Sequence, residues 1–134
     1  MNRFQGHISE IETAGPLSLV RVRLPGRVEL ASVILETPDS AAYLKKDHPI
    51  AVWFKETEVI LAAGEAAGIG VENRIPCRVG TVEAGTLLSR VFLESEAGPL
   101  LAVLSTRALN TLGLTEGDTA LALVKMNEVM LANL

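Results

Sequence analysis

Val20-Arg21-Val22-Arg23-Leu24 alternates apolar and polar positions with period two, the pattern of a half-buried strand. Pro25-Gly26 marks a turn, and Val28 to Leu35 reads as the return strand. Glu36-Thr37-Pro38 predicts the start of a helix, with Thr37 as N-cap and Pro38 as first helical residue, closing at Tyr43-Leu44. Ile50 to Phe54 and Glu58 to Ala62 supply two more strands. Further along, a helix is predicted from Ser105, carrying Ala108, Leu109 and Leu112, with Gly113 ending it. Gly117-Asp118 then turns into a strand over Thr119 to Val124.

This order of elements occurs twice. Asn2-Arg3-Phe4 returns as Asn73-Arg74-Ile75, a displacement of 71 that also matches Ile8 with Val79 and Ile11 with Val82. It pairs Leu17-Ser18 with Leu88-Ser89 and Leu30-Ala31 with Leu101-Ala102. After a one-residue deletion the displacement is 70: Lys55 meets Lys125 and Glu58-Val59 meets Glu128-Val129. Two units follow, 1–63 and 73–134, joined by a connector over 64–72 that holds Gly64, Gly68 and Gly70. The expected fold is all-β: two tandem OB-like five-stranded barrels, each with one short helix.

Composition narrows the function. Hydrophobic residues make up 49% of the 134 and aromatics only 4%, so the core must be aliphatic. A net charge of −4 and few rings for base stacking argue against nucleic-acid binding through this chain, and no helix-turn-helix is present. The single cysteine, Cys77, excludes an internal disulfide and fits a reducing compartment. The first ten residues lack the apolar core of a signal peptide, and no apolar run is long enough to span a membrane, so a cytoplasmic protein is expected. Small barrels with a mean hydropathy of +0.33 leave apolar surface to cover, which predicts a homo-oligomer.

The order Asn-x-(Phe/Ile), a β-meander, Leu-x-Ala, a short helix, and Lys-x-x-x-Val-x-Leu resembles the TOBE or Mop domain family. Two in tandem resemble the molbindins and the C-terminal half of molybdate-responsive regulators. The resemblance implies binding of molybdate or tungstate at subunit interfaces for storage, buffering or sensing, with no organic cofactor. It also implies six modules around a threefold axis, hence a trimer of this chain first and a dimer second. The family's donors are backbone N–H groups, a hydroxyl at a helix start, a lysine on the next strand, and often an arginine before the Asn. In the second unit these positions hold Ser105, the N–H groups of Arg107 and Ala108, Lys125 and Asn73. The first unit has Asn2 and Lys55, but Ile34 or Leu35 at the hydroxyl position, with Thr37 nearby as a substitute. Binding should therefore depend on Ser105 and Lys125 more than on Lys55. Glu72 and Met1 stand at the arginine position, and Glu72 is expected to point into solvent.

The chemistry suits a dianion. A helix start offers free N–H groups, and a lysine adds a charge-assisted bond. His7, His48 and Cys77 have no ligand spacing for a transition-metal cation. Cys77 reads as a small buried hydrophobe. No nucleophile–base motif, P-loop or zincin helix is present, so an enzyme is not expected. The rival reading is a regulatory or protein-interaction module of the same fold that binds no ligand.

Overall fold

The computed structural model describes residues 1–65 and 68–134; Ala66 and Ala67, inside the expected connector, lie outside the described residues. The strands are β1 (Asn2–Ala14), β2 (Leu17–Arg23), β3 (Glu29–Ile34), β4 (Pro49–Phe54), β5 (Ile60–Ala63), β6 (Asn73–Ala84), β7 (Leu88–Ser95), β8 (Leu100–Ser105), β9 (Thr119–Val124) and β10 (Met130–Ala132). The one α-helix among the described residues is α1 (Thr106–Leu112). None of them forms a helix long and apolar enough to cross a membrane.

The strands form two five-stranded antiparallel sheets, ordered β10-β4-β1-β2-β3 and β5-β9-β6-β7-β8. Each sheet takes four strands from one repeat and its last strand from the other. A 3-10 turn, Glu56–Glu58, follows β4 and directs β5 onto β9, pairing Ile60 with Leu123 and Ala63 with Ala120. Its counterpart, Met126–Glu128, directs β10 onto β4, pairing Met130 with Trp53. The exchange fuses the interior: one cluster of buried side chains runs from Phe4 and Phe54 in the first half to Ile75, Leu93 and Val129 in the second. Phe4 and Phe54 stack at 5.9 Å between ring centroids.

The registers fix the internal equivalence. Val20 faces Ile11 and Ser32, while Val91 faces Val82 and Ala102. Ser32 therefore corresponds to Ala102, and Ala31 to Leu101, one step off the pairing expected from sequence. The deletion lies in the turn before β8, so Leu35 is the counterpart of Ser105. Both long strands are bulged, β1 between Ile8 and Glu10 and β6 between Val79 and Val82. Beside each bulge a positive-φ residue closes the same turn, Asp47 (φ 69°) in one half and Gly117 (φ 92°) in the other. Aspartate is among the few non-glycine residues that tolerate this region.

The helix expected over Thr37 to Leu44 does not form. That segment is a run of turns, in which the Thr37 carbonyl accepts from the N–H groups of Ser40 and Ala41, both at 2.9 Å. The Ser40 hydroxyl accepts from the Thr37 N–H at 2.9 Å and donates to the Thr37 carbonyl at 3.2 Å. These local bonds satisfy the backbone without a helix, while Ala41 and Leu44 still reach the core. Thr37 is thus a turn residue and not an N-cap. The second half keeps its helix because both ends are capped: the Ser105 hydroxyl accepts from the Ala108 N–H, and Gly113 takes the left-handed conformation at φ 66°.

Candidate functional site

β3 and β8 are the far edge strands of the two sheets. An open edge leaves peptide groups unpaired, and here one asparagine from the other repeat satisfies each. Asn73 Nδ2 donates to the Ala31 carbonyl at 2.8 Å, and its Oδ1 accepts from the Ala31 N–H at 2.7 Å. Asn2 does the same for Leu101, at 2.9 and 2.8 Å. Each side-chain amide stands in for one peptide unit of a missing strand. Asn73 is fully buried and Asn2 nearly so. Sequence placed both among the anion donors, but the structure commits their amides to the edge strands.

The asparagines lock each repeat's first strand against the other repeat's edge, and the lysines follow. Phe54 pairs with Asn2 and Val124 with Asn73, so Lys55 and Lys125 emerge beside these clamps. The turn after Lys55 packs on β8, and the turn after Lys125 packs on β3. Lys125 lines a cavity of about 140 Å³ with Val33, Gly70, Val71, Glu72, Met126 and Asn127. Both lysines are exposed; their carbonyls accept from the N–H groups of Glu58 and Glu128, both at 3.0 Å, while neither ammonium has a hydrogen bond or ion pair among the described residues.

Ser105 ends β8 and caps α1. Ser105 and Lys125 belong to the same repeat, but the strands that carry them are not neighbours. Within their own sheet β6 and β7 lie between β8 and β9, and the turn against β8 is the one that follows Lys55. The hydroxyl-bearing strand therefore shares its end of the molecule with Lys55. Lys125 shares its end with β3, where Leu35 replaces the hydroxyl. The Ser105 oxygen accepts from the Ala108 N–H at 3.0 Å, so that N–H is already engaged; Arg107 and Ala108 are both exposed. Sequence missed two neighbouring hydroxyls: Thr106 Oγ1 donates to the Gly85 carbonyl at 2.7 Å and lies 2.8 Å from buried Ser89 Oγ.

Glu72 does not simply point into solvent. Its carboxylate accepts from the Arg21 guanidinium at 2.8 Å, which also binds Glu12 at 2.7 Å and approaches Glu10 at 3.4 Å. The bond to Glu72, with that to Glu12, raises the Arg21 pKa further, and Arg21 holds the Glu12 carboxyl below the usual carboxylate range. Cys77 is buried as expected, and burial pushes its thiol up to about 11, leaving it protonated at neutral pH. No cluster of metal-ligating side chains occurs among the described residues.

The sequence model of the TOBE domain matches residues 1–61 and again 70–131. The chain belongs to the TOBE domain family. Among curated relatives, the molybdenum transport protein ModE of Herbaspirillum seropedicae is 29% identical over 133 residues. That match takes in 98% of this TOBE chain but 49% of ModE, so the chain spans about half the length of that relative. Among solved structures, the cytoplasmic molybdate-binding protein ModG, crystallised with molybdate bound, superposes with a TM-score of 0.89. It covers 99% of this chain and 96% of ModG at 23% identity, and shows the tandem TOBE fold.

Proposed function

We propose that this tandem TOBE chain reversibly binds molybdate or tungstate in the cytoplasm, as a binding protein and not an enzyme, for storage, buffering or sensing. The observation that carries this reading is the pair of exposed lysines, Lys55 and Lys125, unpaired among the described residues and fixed at equivalent ends of the molecule. An ammonium without a protein counter-ion, beside an ordered strand edge, is suited to a charge-assisted bond with an oxyanion. The relation to ModE and ModG supports molybdate as that oxyanion. The Lys55 end adds the Ser105 hydroxyl; the Lys125 end adds the backbone around Val71 and Asn127. Asn2, Asn73 and Thr37 act as structural residues.

Titration calorimetry with molybdate, tungstate and sulfate tests this. Saturable heat with the first two and a much weaker response to sulfate is expected; no heat with molybdate or tungstate rejects the proposal. The second reading, a ligand-free interaction module, is favoured by Leu35 at the hydroxyl position and by the carboxylate of Glu72 beside Lys125. It would be supported by that silent titration.

The chain is also proposed to assemble with copies of itself, as a trimer first. Leu35 and Leu87 are 78% and 79% exposed, and Leu88 is 61% exposed. Apolar surface of this kind is often covered by a partner. Light scattering is expected to give three times the chain mass; a monomer at micromolar concentration would contradict it.

A further inference from the structure

Glu72 lines two cavities at once. One holds Lys125, Val33 and Met126; the other, of about 170 Å³, holds Arg21, Glu29 and Ala31. Glu72 thus borders one cavity lined by a lysine and another lined by an arginine, and in this structure its carboxylate is bonded to Arg21. We infer that Arg21 is a positioning residue for the Lys125 site: it holds Glu72 on its own side and keeps that carboxylate from occupying the anion's place. The inference rests on the oxyanion reading proposed above.

Three features support it. Arg21 sits on β2 directly opposite Ala31, whose backbone is clamped by Asn73, the residue after Glu72. Its guanidinium is therefore held where Glu72 leaves the sheet, and only 19% of its side chain is exposed. Second, the Arg21 guanidinium gathers Glu72, Glu12 and Glu10 around itself, at 2.8, 2.7 and 3.4 Å. Without it, three carboxylates would face one another, and Lys125 is the cation across the neighbouring cavity toward which Glu72 would turn. Third, the equivalent place at the other end of the molecule has neither side-chain charge. The registers make Phe92 the counterpart of Arg21, and the repeat makes Met1 the counterpart of Glu72. The Arg21–Glu72 pair thus has no side-chain equivalent at the Lys55 end, where the carboxylate next to the lysine, Glu56, is bonded by the Met1 terminal ammonium instead.

The test uses the full chain in a Lys55→Met background, so that only the Lys125 end contributes to molybdate titrations. Adding Arg21→Gln is expected to weaken molybdate at least tenfold. Glu72→Gln should change affinity by less than threefold, and Arg21→Gln with Glu72→Gln should return it to within threefold of the background. Arg21→Lys, which keeps a charge, should lose less than Arg21→Gln. No loss in Arg21→Gln overturns the inference. So does a double variant as weak as Arg21→Gln, which would make Arg21 a ligand itself. A crystal structure of Arg21→Gln in oxyanion-free buffer reads the same inference without molybdate. The Glu72 carboxylate is expected at hydrogen-bond distance from Lys125 Nζ, and a carboxylate turned elsewhere overturns it. If the background chain binds no molybdate, the function proposed for the Lys125 end fails, and that crystal structure alone decides the role of Arg21.

Discussion

Replacing Asn73 with leucine is expected to destabilise the fold by about 3 kcal/mol. Leucine keeps the branched outline of asparagine with bulkier methyl groups, so no cavity opens. What it removes is both hydrogen bonds to Ala31 in a fully buried position. The orphaned N–H and carbonyl of Ala31 then each carry a desolvation penalty of about 1–3 kcal/mol. Asn2→Leu should cost less, because its bonds to Leu101 are only partly buried. Urea denaturation of both variants measures this: the midpoint should fall with little change in slope. A loss below about 1 kcal/mol for Asn73→Leu would show that water or a shifted strand takes over the edge.

The second large effect is expected at the proposed anion sites. Lys55→Met should weaken one molybdate-binding step by roughly tenfold to a hundredfold, the worth of about 1.5–3 kcal/mol for a bond to a charged group. Its effect should be non-additive with Ser105→Ala, because strand exchange puts the turn after Lys55 against the strand that ends at Ser105. Lys125→Met should weaken the other step and add independently to Ser105→Ala. Double-mutant cycles distinguish the two arrangements, since residues sharing a site couple by about 0.5–3 kcal/mol and distant ones add. Coupling of Ser105 to Lys125 in place of Lys55 would restore the pairing that the sequence order implies.

That contrast marks what could be read from the chain. The repeat, the strands around Val20 to Leu24 and Thr119 to Val124, and the capped helix after Ser105 were legible, because periodicity and caps are local signals. The segment after Thr37 misled because threonine, proline and serine open turns as readily as helices, and local bonds chose the turn. Alternation shows which face of β5 or β10 is buried, but not which of two similar sheets it joins. Asn2 and Asn73 matched a family pattern, yet their role as edge caps depends on a strand far away in sequence. The Arg21–Glu72 pair joins the first repeat to the residue just before the second and leaves no local trace.

Strand exchange also bears on how the chain reaches this state. β4 finds one neighbour, β1, early, but its other neighbour, β10, follows every other strand of the two sheets. On a nascent chain, the first sheet therefore keeps an open β4 edge until the second repeat has been made. β5 meanwhile waits for β9 with nothing of its own sheet to join. Long-range pairings such as Met130 with Trp53 carry a loop-closure cost before any contact compensates, which slows folding. Neither half can complete its own ladder first, so the two repeats are expected to fold in a single concerted step, and an interrupted chain presents an unpaired edge to its neighbours.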